Sequence, residues 1–256
     1  MSKSFSCRPI DLCVVLLCLM IVGCTTRESP ASTLAQVIDR HTEARGGKAA
    51  IESIRGLEVK LRIVEPTYTA DGLWRGDRRG RMRIDVFMEG ERVFTEATDG
   101  LHGWQQPGGE EHGAPASAGG AAALRRSGQL PINILGLHEL ADHGHHLDLV
   151  GREEVAGISY YVIVLTLDDG FVTRYYLDPA TLLITRARVR KALHPDVDPT
   201  ETTIETVWSD FREIARVQYP FTATETDLAN GKLLQTMTVL DVRTNLPAED
   251  SLFQMP

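Results

Sequence analysis

The chain has 256 residues, with 27 Lys and Arg against 35 Asp and Glu, a formal net charge of −8 at pH 7, 43% hydrophobic residues, 22 Gly and 12 Pro. That composition is globular and argues against collagen-like, disordered and multi-span membrane classes. The acidic balance is the wrong sign for a protein that gains affinity by releasing counterions around nucleic acid, so no nucleic-acid partner is expected.

All four cysteines, Cys7, Cys13, Cys18 and Cys24, precede the first predicted helix, which is not the pattern of a disulfide framework. Behind Lys3 and Arg8 comes an unbroken apolar run, residues 12–22. It is too short to span a membrane and matches the core of a secretory signal. The run closes on Ile21-Val22-Gly23-Cys24, which resembles the lipobox of bacterial lipoproteins. The resemblance implies a signal peptide over residues 1–23 and acylation, palmitate included, of Cys24 as the first mature residue. Asp11 departs from a purely basic leader, and a plain secretory signal or uncleaved anchor is the alternative. A multiply acylated cysteine is a durable membrane anchor. Thr25 stands where Asp favours inner-membrane retention in the Gram-negative sorting rule, so the same resemblance implies the outer membrane, facing the periplasm. Residues 24–33 are largely small and polar, with Pro30, and read as a tether.

Ser32 or Thr33 can cap a helix in which Leu34, Val37, Ile38 and His41 share one face and Gly46-Gly47 supplies the stop. His41 on that apolar face reads as a packed histidine with one ring nitrogen bonded. A second short helical turn covers residues 48–54. Beyond Gly56 the period changes to two: Leu57, Val59, Leu61 and Ile63 alternate with Glu58, Lys60 and Arg62, and Met82, Ile84, Val86 and Met88 alternate with Arg81, Arg83 and Asp85. Later strands are predicted over residues 159–167, 171–177, 182–190, 202–211, 221–228 and 232–243, roughly ten in all. Asp71-Gly72, Glu89-Gly90, Asp99-Gly100, Asp169-Gly170 and Asn230-Gly231 are candidate tight turns, so neighbouring strands run antiparallel in one meandering sheet. Residues 107–122, rich in Gly, Ala and Pro, read as a flexible loop interrupting the sheet. A short helix over 121–129 and an apolar loop or helix over 130–140 come after it.

His138-Glu139 begins a segment with His143, His145 and His146 that nearly spells a zinc-protease helix. His138 and His143 are five apart, however, and therefore off one helical face, and Gly144 breaks the helix. The segment reads as a hydrophilic loop before a strand at Leu147, with adventitious metal binding through His143, His145 and His146 as the alternative. No nucleophile elbow, P-loop or mature thiol other than Cys24 is present, so no catalytic residue, metal or cofactor is predicted. Arg75, Arg78, Arg79, Arg81 and Arg83, and Arg186, Arg188, Arg190 and Lys191, read as solvated sheet faces.

The first helix with His41 and Gly46-Gly47, the strand from Leu57, Asp99-Gly100 with Trp104, residues 151–161, Tyr175-Tyr176-Leu177-Asp178, Ser209-Asp210-Phe211, Tyr219-Pro220 and the ending 245–253 together resemble the outer-membrane lipoprotein-sorting protein group, which is similar to the lipoprotein carriers LolA and LolB. The resemblance spans residues 34–256. It implies a mainly β (α+β) fold: a single antiparallel sheet curved into an unclosed half-barrel, with N-terminal and mid-chain helices covering the concave face. In such carriers that face forms an apolar cavity for acyl chains, so lipid acyl chains or acylated lipoproteins are the implied partners, and Cys24 makes the chain resemble the membrane-tethered acceptor. The cavity candidates are Leu57, Val59, Leu61, Ile63, Trp74, Met82, Ile84, Val86, Trp104 and Trp208. The alternative is a non-catalytic envelope sensor or scaffold of the same fold; the least favoured is a metal-dependent hydrolase. A filled core would favour the scaffold, a continuous apolar groove the carrier.

Overall fold

The structure, a computed structural model, describes Met1, residues 32–247 and residues 249–256. The chain divides into Met1–Ala31 and Ser32–Pro256. Cys24, the apolar run and most of the expected tether lie outside the described residues, and every described helix and strand belongs to Ser32–Pro256. No helix among the described residues is long and apolar enough to cross a membrane.

Helix α1 (Leu34–Arg45) starts at Thr33, whose hydroxyl accepts from the Gln36 amide while the Gln36 side chain accepts from the Thr33 amide. This reciprocal pair satisfies two of the orphan donors at the helix start. Gly46 ends the helix at φ 132°, a conformation open to glycine, and a β-carbon there would strike the Arg216 carbonyl at 2.0 Å. Helix α2 (Lys48–Ser53) is next.

Six strands come after it: β1 (Gly56–Val64), β2 (Thr69–Asp77), β3 (Met82–Met88), β4 (Glu91–Thr98), β5 (Gly103–Pro107) and the two-residue β6 (Ala114–Pro115). Helix α3 (Ala118–Gly128) and a 3-10 turn (Leu137–Glu139) precede seven more: β7 (His146–Val155), β8 (Ile158–Thr166), β9 (Val172–Leu177), β10 (Ile184–Lys191), β11 (Thr202–Ile214), β12 (Val217–Asp227) and β13 (Leu233–Thr244). All thirteen belong to one antiparallel sheet, ordered β6-β5-β4-β3-β2-β1-β13-β12-β11-β10-β9-β8-β7. Two meanders are joined at β1 and β13, and the edges β6 and β7 do not pair, so the half-barrel is unclosed. A twisted sheet this wide curls. The segment linking the two edges, α3 and residues 129–145, lies over the concavity together with α1 and α2.

Four of the five predicted tight turns join consecutive strands. Asp71-Gly72 instead sits inside β2, opposite Arg62 and Leu61, where a β-carbon on Gly72 would press on Leu61 at 3.2 Å. Residues 107–122 do not simply interrupt the sheet: Ala114–Pro115 pair with Trp104 and Gln105, and α3 begins at Ala118.

The core has two parts. Val37 of α1, Leu135, Leu137 and Leu140 pack on Ile163, Leu165, Tyr175, Leu177 and Ile184, sealing the β7–β10 half. Ala50 and Ile51 of α2, with Ile54, Ile134 and Leu124, pack on Leu57, Leu61, Trp74, Met82, Tyr219 and Phe221. On the convex face the predicted charged clusters pair across strands: Arg75 bridges Glu58 at 2.8 Å and Asp85 at 3.3 Å, and Arg188 bridges Glu205 at 2.7 Å and Glu153 at 3.0 Å.

Candidate functional site

The α1 half is filled, but α3 is too short to fill the other half. Between it and the sheet a groove of about 410 Å³ remains, within the range of small-molecule sites. Its floor is the inward face of β1, Leu57, Val59, Leu61 and Ile63, continued by Trp74, Met82 and Ile84 on one side and by Val239, Met237, Ala223 and Trp208 on the other. The strand register explains why these meet: Val59 is opposite Trp74 and Val242, Trp74 opposite Ile84, Ile63 opposite Met237, and Ala223 opposite both Met237 and Trp208. Gly76 lets the Trp74 ring lie across its own strand, since a β-carbon there would be 2.4 Å from it. Leu124 of α3, Leu130 and Ile132 form the roof.

Eight of the ten predicted cavity residues thus line one groove. Val86 shares the face of Ile84 but lies one pair further along, opposite Phe94, beyond the lining. Trp104 is a correction: it pairs with Ala97 and so points to the convex face, where its indole N–H donates to the Phe253 carbonyl at 2.9 Å beneath the C-terminal 3-10 turn (Asp250–Phe253). The indole found its buried partner in the chain's own C-terminus.

The polar side of the groove was not predicted. Lys191, Glu225, Thr206, Gln235, Glu96 and His194 also line it. Glu225 accepts from Lys191 at 3.0 Å, Gln235 at 2.7 Å and Thr206 at 3.1 Å. Burial works to raise its carboxyl, but the Lys191 charge and these bonds outweigh it and hold it below the usual range. Lys191 consequently faces inward and not with the outer arginines. Burial pushes Glu96 up, with Asp196 adding to the effect and His194 opposing it. The β10–β11 loop crosses the open side. His194 Nε2 is 2.8 Å from Glu65 Oε1, and Asp196 Oδ1 accepts from the backbone N–H of Ser117, the N-cap of α3, at 2.7 Å. The signal available in sequence was alternation: Tyr219, Phe221, Ala223 and Glu225 share one strand face, so a carboxylate stands among apolar neighbours.

Two residues of α1 hold the roof and the filled half. Arg45 is 3% exposed, and its guanidinium donates to the carbonyls of Pro131, Asn133 and Leu135, fixing the loop that carries Ile132. Burial lowers its pKa to about 10, so it stays charged at neutral pH. His41 donates through Nδ1 to the Leu182 carbonyl at 2.8 Å, and burial lowers its pKa to about 4.

The histidine segment does not assemble as His143, His145 and His146. Among the described residues the one close trio of possible metal donors is Glu52, His138 and Glu139, and there Glu139 is already engaged by Arg78 and by the Gly136 amide at 2.8 Å. A larger hollow of about 650 Å³ beside the C-terminal turn is lined by arginines and acids that pair with one another, Arg75 with Glu58 and Arg81 with Asp77.

No family model matches this sequence, and no curated protein matches it. Solved structures do. A LolA superfamily protein from Nitrosomonas europaea superposes with a TM-score of 0.58 at 13% identity, over 88% of this chain and 98% of that one. A DUF1329 family protein from Desulfovibrio piger gives a TM-score of 0.58 at 14% identity, again over 88% and 98%. The fold is the LolA-type half-barrel. The groove therefore lies on the concave face of a LolA-type sheet, under the mid-chain helix that the resemblance implied.

Proposed function

We propose that this chain is a membrane-tethered envelope lipoprotein, anchored through Cys24 to the outer membrane and facing the periplasm, that binds one acyl chain of a lipid or acylated lipoprotein in the groove under α3. It does so without chemistry of its own, as part of lipoprotein sorting or transfer. The supporting observation is the continuous apolar lining from Leu57 to Trp208 around about 410 Å³ of open space. Each buried methylene contributes about 0.8 kcal/mol, so ten supply roughly 8 kcal/mol before binding losses, the scale of micromolar affinity. Open space on this face favours the carrier reading over a scaffold, which would fill it.

The test is uptake of an uncharged naphthylamine fluorophore by the delipidated full chain. Uptake at micromolar concentration is expected, weakened by Leu61→Glu or Ile84→Glu in protein whose circular dichroism is native. A folded wild-type chain that takes up neither fluorophore nor acylated peptide refutes the carrier reading and favours the scaffold. Mass measurement of the mature N-terminus tests the anchor: acylation at Cys24, lost in Cys24→Ser, is expected, and an unmodified chain beginning elsewhere refutes it.

A further inference from the structure

Among the described residues, one carboxylate in the groove has no partner. Glu96 on β4 is opposite Ile84, which is opposite Trp74, which is opposite Val59, so the acid ends a transverse row of apolar lining. Among the described residues no hydrogen bond or ion pair reaches it, and the charges it senses are Asp196 and His194. His194 is itself engaged by Glu65. Lys191, the one cation of the lining besides His194, is bonded to Glu225, and removing it would strand a buried carboxylate. Glu96 is thus a half-buried carboxylate beside apolar lining, placed to accept from a donor that a ligand brings.

We propose that the groove discriminates single-chain amphiphiles by head group, accepting a protonated amine at Glu96 and rejecting an anionic carboxylate. This rests on the acyl-binding reading of the groove. Glu96 and Glu225 of the lining, with Asp196 acting on Glu96, outnumber Lys191 and His194, so acidic groups are in excess around the groove. A fatty-acid carboxylate placed there meets like charge beside the apolar lining. An ammonium gains a charge-assisted hydrogen bond while its tail lies along Trp74, Val59 and Met237.

The experiment is displacement of the naphthylamine fluorophore from the delipidated full chain at neutral pH by dodecylamine, dodecanol and dodecanoate, each below its micelle-forming concentration. Dodecylamine is expected to displace at about tenfold lower concentration than dodecanoate, with dodecanol between them. In Glu96→Gln, checked for native circular dichroism, the amine should lose its advantage over the alcohol. Equal or tighter binding of dodecanoate to the wild-type chain overturns the proposal without needing any variant, and so does an amine preference that persists in Glu96→Gln. A fluorophore displaced equally by all three refutes head-group selection while leaving the acyl groove standing. A fluorophore that never binds removes the groove reading and this proposal with it.

Discussion

Replacing Arg45 by Met tests how the roof of the groove is held. The guanidinium is buried and donates to three carbonyls of the 131–135 loop, those of Pro131, Asn133 (2.5 Å) and Leu135 (2.5 Å), and it lies 5.7 Å from the Tyr219 ring centroid. Methionine fills much of the stem's volume but offers no donor, so those acceptors lose the partner that lets them stay dry. Each unsatisfied buried acceptor costs about 1–3 kcal/mol, so the three together would cost about 3–9 kcal/mol if the loop stayed in place. The loop has a cheaper route: it can lift and rehydrate, which exposes Ile132 and Leu135 and uncouples the roof from α1. Chemical denaturation should therefore show a loss of about 3 kcal/mol or less. Native-state hydrogen exchange at residues 132–135 should accelerate by up to about a hundredfold, the kinetic equivalent of that energy. Arg45→Lys should fall between, because one ammonium cannot span three carbonyls as a planar fork does. A loss under about 1 kcal/mol together with unchanged exchange in the loop would refute the idea that Arg45 holds the roof.

Acid should destabilise the fold through His41. Its pKa is about 4 in the folded chain against an ordinary 6.5, so between those values the unfolded chain binds a proton that the folded chain refuses. Stability therefore falls as pH drops through that window, by about 3 kcal/mol from this residue when the drop is complete; urea midpoints measured from pH 7 to 4 should fall less steeply in His41→Asn. Trp104→Phe should cost about 1–2 kcal/mol by stranding the Phe253 carbonyl. It should leave fluorophore uptake as it was, because the ring lies on the convex face, and a loss of uptake in folded Trp104→Phe would contradict that placement.

The strands were legible because a half-buried antiparallel sheet writes a period of two into the chain, and Leu57 to Ile63 show it without ambiguity. The same alternation puts Met82 and Ile84 beside them, whereas Trp74, a lining candidate as an aromatic, lies in β2, where no strand is predicted. What misled was context across strands. Trp104 is apolar and central, but its face is set by pairing with Ala97, and only the register shows that this face is the convex one. Asp71-Gly72 carries turn chemistry yet serves as a flat place for Leu61. The reverse occurs between β11 and β12, where Ala215 and Arg216 turn at positive φ with no glycine to mark it, so the strands run to Ile214 and from Val217, past the predicted breaks at Phe211 and Phe221. Pro220 inside β12, opposite Phe211, adds a second false sign of a break. The polar rim was legible only at Glu225, through its alternation with Tyr219, Phe221 and Ala223; Lys191 and Glu96 reach it from strands far apart in sequence. The role of Arg45 has no sequence signature: a cation at a helix C-terminus is ordinary, and its acceptors are backbone carbonyls that leave no mark on composition.

Gly120→Ala separates the strap over the groove from the stability of the helix beneath it. Gly120 lies in the first turn of α3, and a β-carbon there would stand 1.8 Å from Asp196 Oδ2. The carboxylate is the free end of a side chain, so it can swing aside, but in doing so it gives up the Ser117 amide that it accepts from at 2.7 Å. The helix itself should gain, since alanine is favoured over glycine within helices by roughly 0.5–1 kcal/mol, and this offsets the lost bond of about 1 kcal/mol. Global stability should therefore change little, while the β10–β11 loop loses its anchor on α3 and keeps the one at Glu65. If that loop limits access to the groove, stopped-flow uptake of the fluorophore should quicken in Gly120→Ala with an unchanged denaturation midpoint, and Asp196→Ala should reproduce the effect by removing the bond to the Ser117 amide with no change in the helix's own residues. Uptake rates equal to wild type in both variants would show that ligand reaches the lining by another side, past Leu130 and Ile132, and would shift attention to the loop that Arg45 holds.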